Sequence, residues 1–372
     1  MMNVTIKNAY RALTKEGYSV SEITQIPEGS NHHVFDILLS DGNSAICKFS
    51  KRRYTEQKLV KENTDTLYGG KLSLEREAFL YSLVKHSAKL PAPEVYGIHE
   101  SEIGDFVVVE KMPGESFKKY IDRHNYSERS FLHVMRALGR DFAKVHEITF
   151  SSFGNVMADG FIDPQGLTNF ADRFSSVMDM RIKLAEAKGA LNAQELCEVR
   201  TFFDDKFNDL RETFDIKSSP AVLVLTDFHG DNFFVDENGI PCGYFDLESC
   251  QAAPAALEFY GLHFFLFNYF NEDAYHQAER AFYESYTQEG GKYAPNTPHD
   301  YQVIDFLAAC RLLELTESYW GYIDGLRDTW GERTKTLLYD YMDCGKLDYI
   351  ALGDIFRERD GQPKNPTRSG GA

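Results

Sequence analysis

The chain has 372 residues, of which 43% are hydrophobic and 14% aromatic, and its formal net charge is −17. This composition excludes a disordered chain, and the length suggests two domains. The negative balance argues against nucleic acid, whose recognition needs a basic face.

Residues 1 to about 18 are expected to form an amino-terminal helix. Strand-like runs follow at residues 20–26, 34–39 and 45–49. The turn between the first two, Glu28-Gly29-Ser30-Asn31-His32-His33-Val34, is small and polar. Such a turn can fold over phosphates with its backbone N–H groups. The third run carries one lysine, Lys48, as a strand would if it pointed a single ammonium into a cleft. A charged insertion spans residues 51–70, and residues 74–83 read as an amphipathic helix whose charged face offers a carboxylate to that lysine. Leu90-Pro91-Ala92-Pro93 precedes a further strand, and the strand-rich part ends at a Pro113-Gly114 joint.

The remainder reads as mainly helical. A helix covers residues 138–146, and two long helical patterns, 171–188 and 193–213, break near Gly189. Phe233-Phe234-Val235 and Cys242-Gly243-Tyr244-Phe245 read as a hairpin joined through Asn238-Gly239, a type I′ signal. An aromatic-rich helical pair follows at 257–286, where Tyr260, Phe264, Phe267 and Phe270 recur near helical spacing and are expected in the core. A loop at 290–299 leads to a helix at 301–325, and the tail 361–372, rich in Gly, Pro, Ser and Asn, is expected to be disordered.

No apolar run is long enough to cross a bilayer; the best, 261–270, contains His263 and Asn268. The six cysteines are scattered without zinc or CxxC spacing, so they are expected to be reduced and mostly buried. With no apolar core near Met1 like that of a secretory signal, these features point to the cytoplasm and away from a membrane partner.

The chemistry is concentrated in Leu225-Thr226-Asp227-Phe228-His229-Gly230-Asp231-Asn232 and, further on, Phe245-Asp246-Leu247-Glu248. An Asp, an Asn five residues later and an Asp nineteen after the first form a magnesium-dependent phosphoryl-transfer constellation. The predicted hairpin brings Asn232 and Asp246 side by side. An Asp-x4-Asn spacing alone should occur about once by chance in a chain of this length. The set Lys48, the 74–83 helix, Asp227, Asn232 and Asp246, in that order, is far more specific.

In that order the residues from Ile23 to Phe259 resemble the aminoglycoside phosphotransferase and choline kinase-like family. The resemblance implies an α+β, bilobal protein-kinase-like fold, with a small strand-rich N-lobe (1–112) and a larger, mainly helical C-lobe (113–360). It implies ATP, with GTP not excluded, and Mg2+ as cofactors, and a small hydroxylated acceptor. Carried over by position, Asp227 is the catalytic base, and Asn232 and Asp246 are metal ligands. Lys48 contacts phosphate with Glu77 as its helix partner, Glu75 being the alternative. Ser30, Asn31 and His32, with His33, form the tip of the phosphate-covering loop, and Glu110 to Met112 the adenine-facing hinge. The chain departs from the family at Leu225, where a His is usual, and in having Gly29 as the only glycine of its phosphate loop.

Each residue also has a purely structural use: Asp227 as a turn former, Asn232 as a loop cap, Asp246 as a helix cap, Lys48 as a snorkelling edge lysine and Glu77 as a solvated helix residue. His229 fits a loop-structuring hydrogen bond better than a second base. Asp231 and Glu248 are candidate supporting acids. Between residues 246 and 360 acidic residues outnumber basic ones by 21 to 9, which favours a cationic acceptor but equally serves solubility. Glu314, Glu317 and Asp324 could meet an amine, although an exposed acidic helix face is the simpler reading. Two further classes stand beside the kinase: a nucleotide-binding pseudokinase, and a metal hydrolase using Asp227, His229, Asp231 and Asp246. The motifs carry no signal for oligomeric state.

Overall fold

The computed structural model describes residues 4–26, 32–50, 73–124, 127–163, 167–320 and 327–359. Ser30, Asn31, Asp324, the 51–70 insertion and the 361–372 tail lie outside the described residues.

The amino-terminal part runs α1 (Ile6–Lys15), β1 (Val20–Ile26), β2 (His32–Leu39), β3 (Ser44–Ser50), α2 (Leu74–Leu83), β4 (Val95–His99) and β5 (Phe106–Glu110). Its five strands form one antiparallel sheet in the order β1-β2-β3-β5-β4. Strand periodicity divides this sheet between two cores. Ala45, Cys47, Phe49, Phe106 and Val108 face α1 and close a small core with Ala9 and Leu13. The intervening Ile46, Val107 and Val109 face the other way and join the main core with Leu80 and Val84. Lys48 shares that second face, which is why it points toward α2 and not into the α1 core. Ser73 starts α2 by accepting the N–H of Arg76 at 3.0 Å.

The rest comprises β6 (Glu115–Ser116), α3 (Phe117–Arg123), α4 (Glu128–Val145), β7 (Thr149–Phe150), β8 (Gly154–Val156), β9 (Ile162–Asp163), α5 (Phe170–Ala187), α6 (Ala193–Asp209), β10 (Ala221–Val224), β11 (Phe233–Val235), β12 (Pro241–Tyr244), β13 (Gln251–Ala253), α7 (Ala256–Phe265), α8 (Glu272–Gln288), α9 (Pro298–Tyr319), α10 (Arg327–Cys344) and α11 (Tyr349–Arg359). The architecture is α+β and bilobal, as expected, but the second part is less purely helical than the sequence suggests. It holds a five-stranded sheet in the order β7-β10-β13-β8-β9 and a three-stranded one, β12-β11-β6. All eight of these strands are two to four residues long, too short for an alternating pattern to show. Asn192 and Thr297 start α6 and α9 with reciprocal capping boxes. α4 and α8 pack closely because Gly139 has no side chain; a Cβ there would lie 2.3 Å from the Phe282 carbonyl oxygen.

Tyr260, Phe264, Phe267 and Phe270 are core residues, as their spacing predicts. The six cysteines are unpaired, but only Cys47, Cys250 and Cys310 are buried, while Cys197 and Cys344 are exposed. No described helix is long and apolar enough to cross a membrane.

Candidate active site

The hairpin that carries the second acidic residue forms as predicted, with a different turn. Phe233 pairs with Tyr244 and Phe234 with Gly243. Only Gly239 adopts a positive φ (78°), so the turn is not type I′, which needs two such residues. Instead the Asp236 carboxylate accepts the N–H groups of Asn238 (2.9 Å) and Ile240 (2.8 Å), and Gly239 N–H donates to the Asp236 carbonyl (3.0 Å). The aspartate side chain thus imposes its own local turn. The ends still meet: Phe245 N–H donates to the Asn232 carbonyl at 3.2 Å, leaving Asp246 as the next residue.

Asp246 itself adopts a left-handed conformation, φ 59°, and its side chain caps nothing. It faces the amino-terminal sheet, where its Oδ1 accepts from Lys48 Nζ at 3.2 Å. Lys48 also donates to Glu77 Oε1 at 2.6 Å. Glu77 is therefore the helix partner; Glu75 points to solvent. Tyr81, one helical turn after Glu77, donates to the same Oε1 at 2.5 Å and accepts the backbone N–H of Asp246 at 3.2 Å. Lys48, Glu77, Tyr81 and Asp246 form a closed hydrogen-bonded ring. Burial pulls the Lys48 ammonium down, but Glu77 and Asp246 more than reverse this and hold it well above the usual lysine value. Burial pushes the Asp246 carboxyl up, and Lys48, His32 and His229 more than reverse it, keeping it ionised.

The loop before β11 is tied internally. Asn232 Nδ2 donates to the Asp227 backbone carbonyl at 2.7 Å, and Asn232 N–H donates to the His229 carbonyl at 2.9 Å. The first of these bonds uses the Asn232 side-chain amide nitrogen, so Oδ1 is the atom this side chain could offer a metal, and the Phe245 N–H to Asn232 carbonyl bond places Asn232 next to the residue that precedes Asp246. Amide and carboxylate oxygens are hard donors of the kind Mg2+ takes, with one or two protein oxygens beside phosphate and water. His229 Nδ1 accepts the Asp231 N–H at 3.3 Å, a loop-structuring role, and Asp231 is exposed. Among the described residues no group of three or more His, Cys, Asp and Glu side chains could hold a metal ion by itself.

Thr226, fully buried, adopts φ 67°, a rare conformation for a β-branched residue. Asp227 N–H donates to the Leu225 carbonyl across it at 2.9 Å, a tight and strained three-residue turn. Glu258 on α7 supports that turn by accepting Leu225 N–H at 2.5 Å and a bond from Thr226 N–H. The side chain of Leu225 lies in the core. Glu258, Tyr81 and Arg76 are functional candidates the sequence reading missed; for Tyr81 the helical spacing from Glu77 was a usable signal.

The remaining expected residues are spread around this centre. His32 starts β2, its Nε2 3.8 Å from Glu248 Oε2, and Glu248 is buried. Glu110 ends β5, where its N–H donates to the Glu94 carbonyl (2.8 Å) and its carboxylate accepts from Glu94 N–H (3.0 Å). Met112 lies against Gly243, where a Cβ would come within 2.8 Å of the Met112 Cβ. Glu314 and Glu317 form no exposed acidic face. They are buried and paired with Arg181 (2.9 and 3.0 Å), Glu314 also with Arg311 (2.6 Å) and Glu317 with Lys188. Arg311, over the Phe265 ring at 5.9 Å, interacts electrostatically with Asp227.

The model of the phosphotransferase enzyme family matches residues 22–333. No curated protein matches the chain. Among solved structures, it resembles a macrolide 2′-phosphotransferase type I, with a TM-score of 0.54, 13% identity, and coverage of 95% of this chain and 97% of that one. It also resembles the apoenzyme of macrolide 2′-phosphotransferase MphH from Brachybacterium faecium (TM-score 0.55, 10% identity, 88% and 97% covered). A mutant aminoglycoside 2′-phosphotransferase IIIa complexed with GDP is similar too (TM-score 0.56, 12% identity, 92% and 100% covered). At these identities the likeness concerns the fold, which is of the protein-kinase-like type.

Proposed function

This chain belongs to the phosphotransferase enzyme family and is a phosphotransferase with an alcohol group as acceptor, and from that premise we propose that it transfers the γ-phosphate of ATP to a small molecule between a lobe of residues 1–112 and one of residues 113–360. The observation that carries this reading is the closed ring of Lys48, Glu77, Tyr81 and Asp246, which joins the amino-terminal sheet and α2 to the Asp246 turn.

In this reading Asp227 orients the acceptor hydroxyl and takes its proton as the oxygen attacks phosphorus. Its carboxylate is set at the end of the strained Thr226 turn, which Glu258 and Asn232 hold in place. Lys48 places a fixed positive charge against the nucleotide phosphates. Asn232 Oδ1 and the Asp246 carboxylate would hold Mg2+, which would offset the negative charge of the phosphates. Ser30 and Asn31, from the segment between β1 and β2, and His32, at the start of β2, would cover the phosphates, and the backbone from Glu110 to Met112 would face the base. The structurally similar aminoglycoside enzyme was solved with GDP, so GTP stands beside ATP as donor. Positioning and charge neutralisation do most of the work.

For the acceptor, three of the similar structures are enzymes named for macrolides and aminoglycosides, which supports an aminoglycoside or other amine-bearing antibiotic, and another is named a putative fructosamine-3-kinase (TM-score 0.58, 14% identity), which supports a sugar-type acceptor. A metabolite such as choline, ethanolamine, a sugar or homoserine is the alternative. Glu314 and Glu317 do not support the amine preference, because their charges are met within the fold; exposed Asp231 beside Asn232 does. The test is coupled ADP release with Mg·ATP across a panel of these acceptors. Stimulation by one class, abolished by EDTA, is expected. A panel without stimulation, on a protein whose melting temperature ATP does not raise, would contradict the reading.

A further inference from the structure

Arg76 and Glu77 are neighbours on α2 and both are 1% exposed. Consecutive helical residues point about 100° apart, so the one helix addresses two targets. Glu77 meets Lys48. Arg76 turns instead into the carboxyl-terminal part of the fold, where its three nitrogens each find a main-chain oxygen. Nε donates to the Val156 carbonyl at 2.6 Å, Nη1 to the Glu248 carbonyl and Nη2 to the Cys250 carbonyl.

Those three carbonyls define what the guanidinium grips. Glu248 and Cys250 lie two and four residues after Asp246, in the turn that leads into β13. Val156 ends β8, the strand paired with β13. The turn that presents Asp246 is thus held by the planar guanidinium fork of Arg76, from the same helix that holds Lys48 through Glu77. Tyr81 adds a third tie from that helix, to the Asp246 N–H.

We propose that Arg76 is a positioning residue for the metal-binding turn: by clamping residues 248–250 to α2 it sets Asp246 against Lys48 before any nucleotide or metal arrives. The helix and the acidic turn then behave as one unit, and the site needs no inward swing of α2 to assemble. This inference rests on the reading of Asp246 as a metal ligand.

The test compares Arg76→Lys with Arg357→Lys. Arg357 is an equally buried arginine (3% exposed) that donates to the Asn268 carbonyl, in the helical region away from the Asp246 turn. The readout is the Mg2+ concentration giving half-maximal thermal stabilisation by ADP, together with the ligand-free melting temperature. Both variants should melt lower. Only Arg76→Lys should raise the Mg2+ midpoint, by about 10–100-fold, the range seen when a residue orienting a metal ligand is lost. Equal midpoints in the two variants would overturn the proposal. A wild-type protein with no Mg2+ dependence would instead overturn the metal assignment on which it rests. If Arg76→Lys does not fold, hydrogen exchange on the ligand-free wild type decides. Protection of the Cys250 amide, bonded to the Leu247 carbonyl at 3.0 Å, comparable to that of β12 supports a preset turn. Fast exchange that slows only with Mg·ADP would overturn it.

Discussion

The Lys48 ammonium lies 3.2 Å from the Asp246 carboxylate, although 198 residues separate them in the chain. This contact spans the amino-terminal sheet and the metal-side turn, and both partners also answer to α2. Replacing Lys48 by Met leaves the Glu77 carboxylate, 1% exposed, without its cation. Removing one partner of a buried pair destabilises by about 3–5 kcal/mol. Urea unfolding should show a loss of that size for Lys48→Met and partial recovery in Lys48→Met/Glu77→Gln. ADP release should stay abolished in both, which separates the stability role of the pair from its role in transfer.

Glu258 gives a pH prediction. Burial raises its carboxyl to about 8, against an ordinary value of 4.5, with the Leu225 and Thr226 N–H groups pulling partly the other way. Between those values the folded protein holds a proton that the unfolded chain has released. The contribution is therefore complete below pH 4.5 and is lost as pH rises through about 8. Glu258→Gln keeps an oxygen for the Leu225 N–H but cannot titrate. The wild-type melting temperature, measured relative to Glu258→Gln, should fall with pH across that window and level off above it. Parallel profiles would contradict the assignment. Glu258→Leu, which leaves the strained turn unsupported, should lower kcat far more than KM for ATP.

What the sequence showed and what it hid follow from range. Asp227, Asn232 and Asp246 were legible because one hairpin brings the last two together, and a hairpin is announced by neighbouring residues. Lys48 was legible because a lone charge interrupts an apolar run. The direction of its side chain follows from the alternation that buries Cys47 and Phe49 on the opposite face. Arg76 was hidden because its partners are main-chain carbonyls 80, 172 and 174 residues away, which no side-chain pattern records. The strain at Thr226 was hidden for the same reason, since a β-branched residue gives no sign of a positive φ. Glu314 and Glu317 misled in the other direction: their charge looked like an open acidic face until Arg181, from a helix more than 130 residues earlier, closed it.

That network makes its own prediction. Arg181 serves Glu314 and Glu317 together, and both acids are buried. Arg181→Met should destabilise the fold in urea unfolding by less than the about 3–5 kcal/mol expected for an uncompensated buried charge, because Arg311 still meets Glu314 and Lys188 still meets Glu317. Its effect on the Mg2+ midpoint should be nil, since Glu314 and Glu317 lie on α9 and not in the Asp246 turn.

Asn232→Ala removes both a proposed metal oxygen and the tie to the Asp227 carbonyl. The Mg2+ midpoint for ADP-dependent stabilisation should rise by more than about 10–100-fold, the range for residues that only orient a ligand. Asn232→Asp restores an oxygen but not the donated hydrogen bond. It should recover metal binding before it recovers turnover, measured as ADP release at saturating Mg2+.

The most direct measurement is a comparison of wild type and Asp227→Asn in two assays on the same preparations: calorimetric titration with Mg·ADP, and ADP release from Mg·ATP with the best acceptor or, failing one, water. Nucleotide affinity should agree within about twofold, while the rate should fall by about 10²–10⁴-fold, the span expected for loss of a positioned general base. An Asp227→Asn protein that binds nucleotide and turns over at the wild-type rate would contradict the assignment of this carboxylate as the group that readies the acceptor hydroxyl.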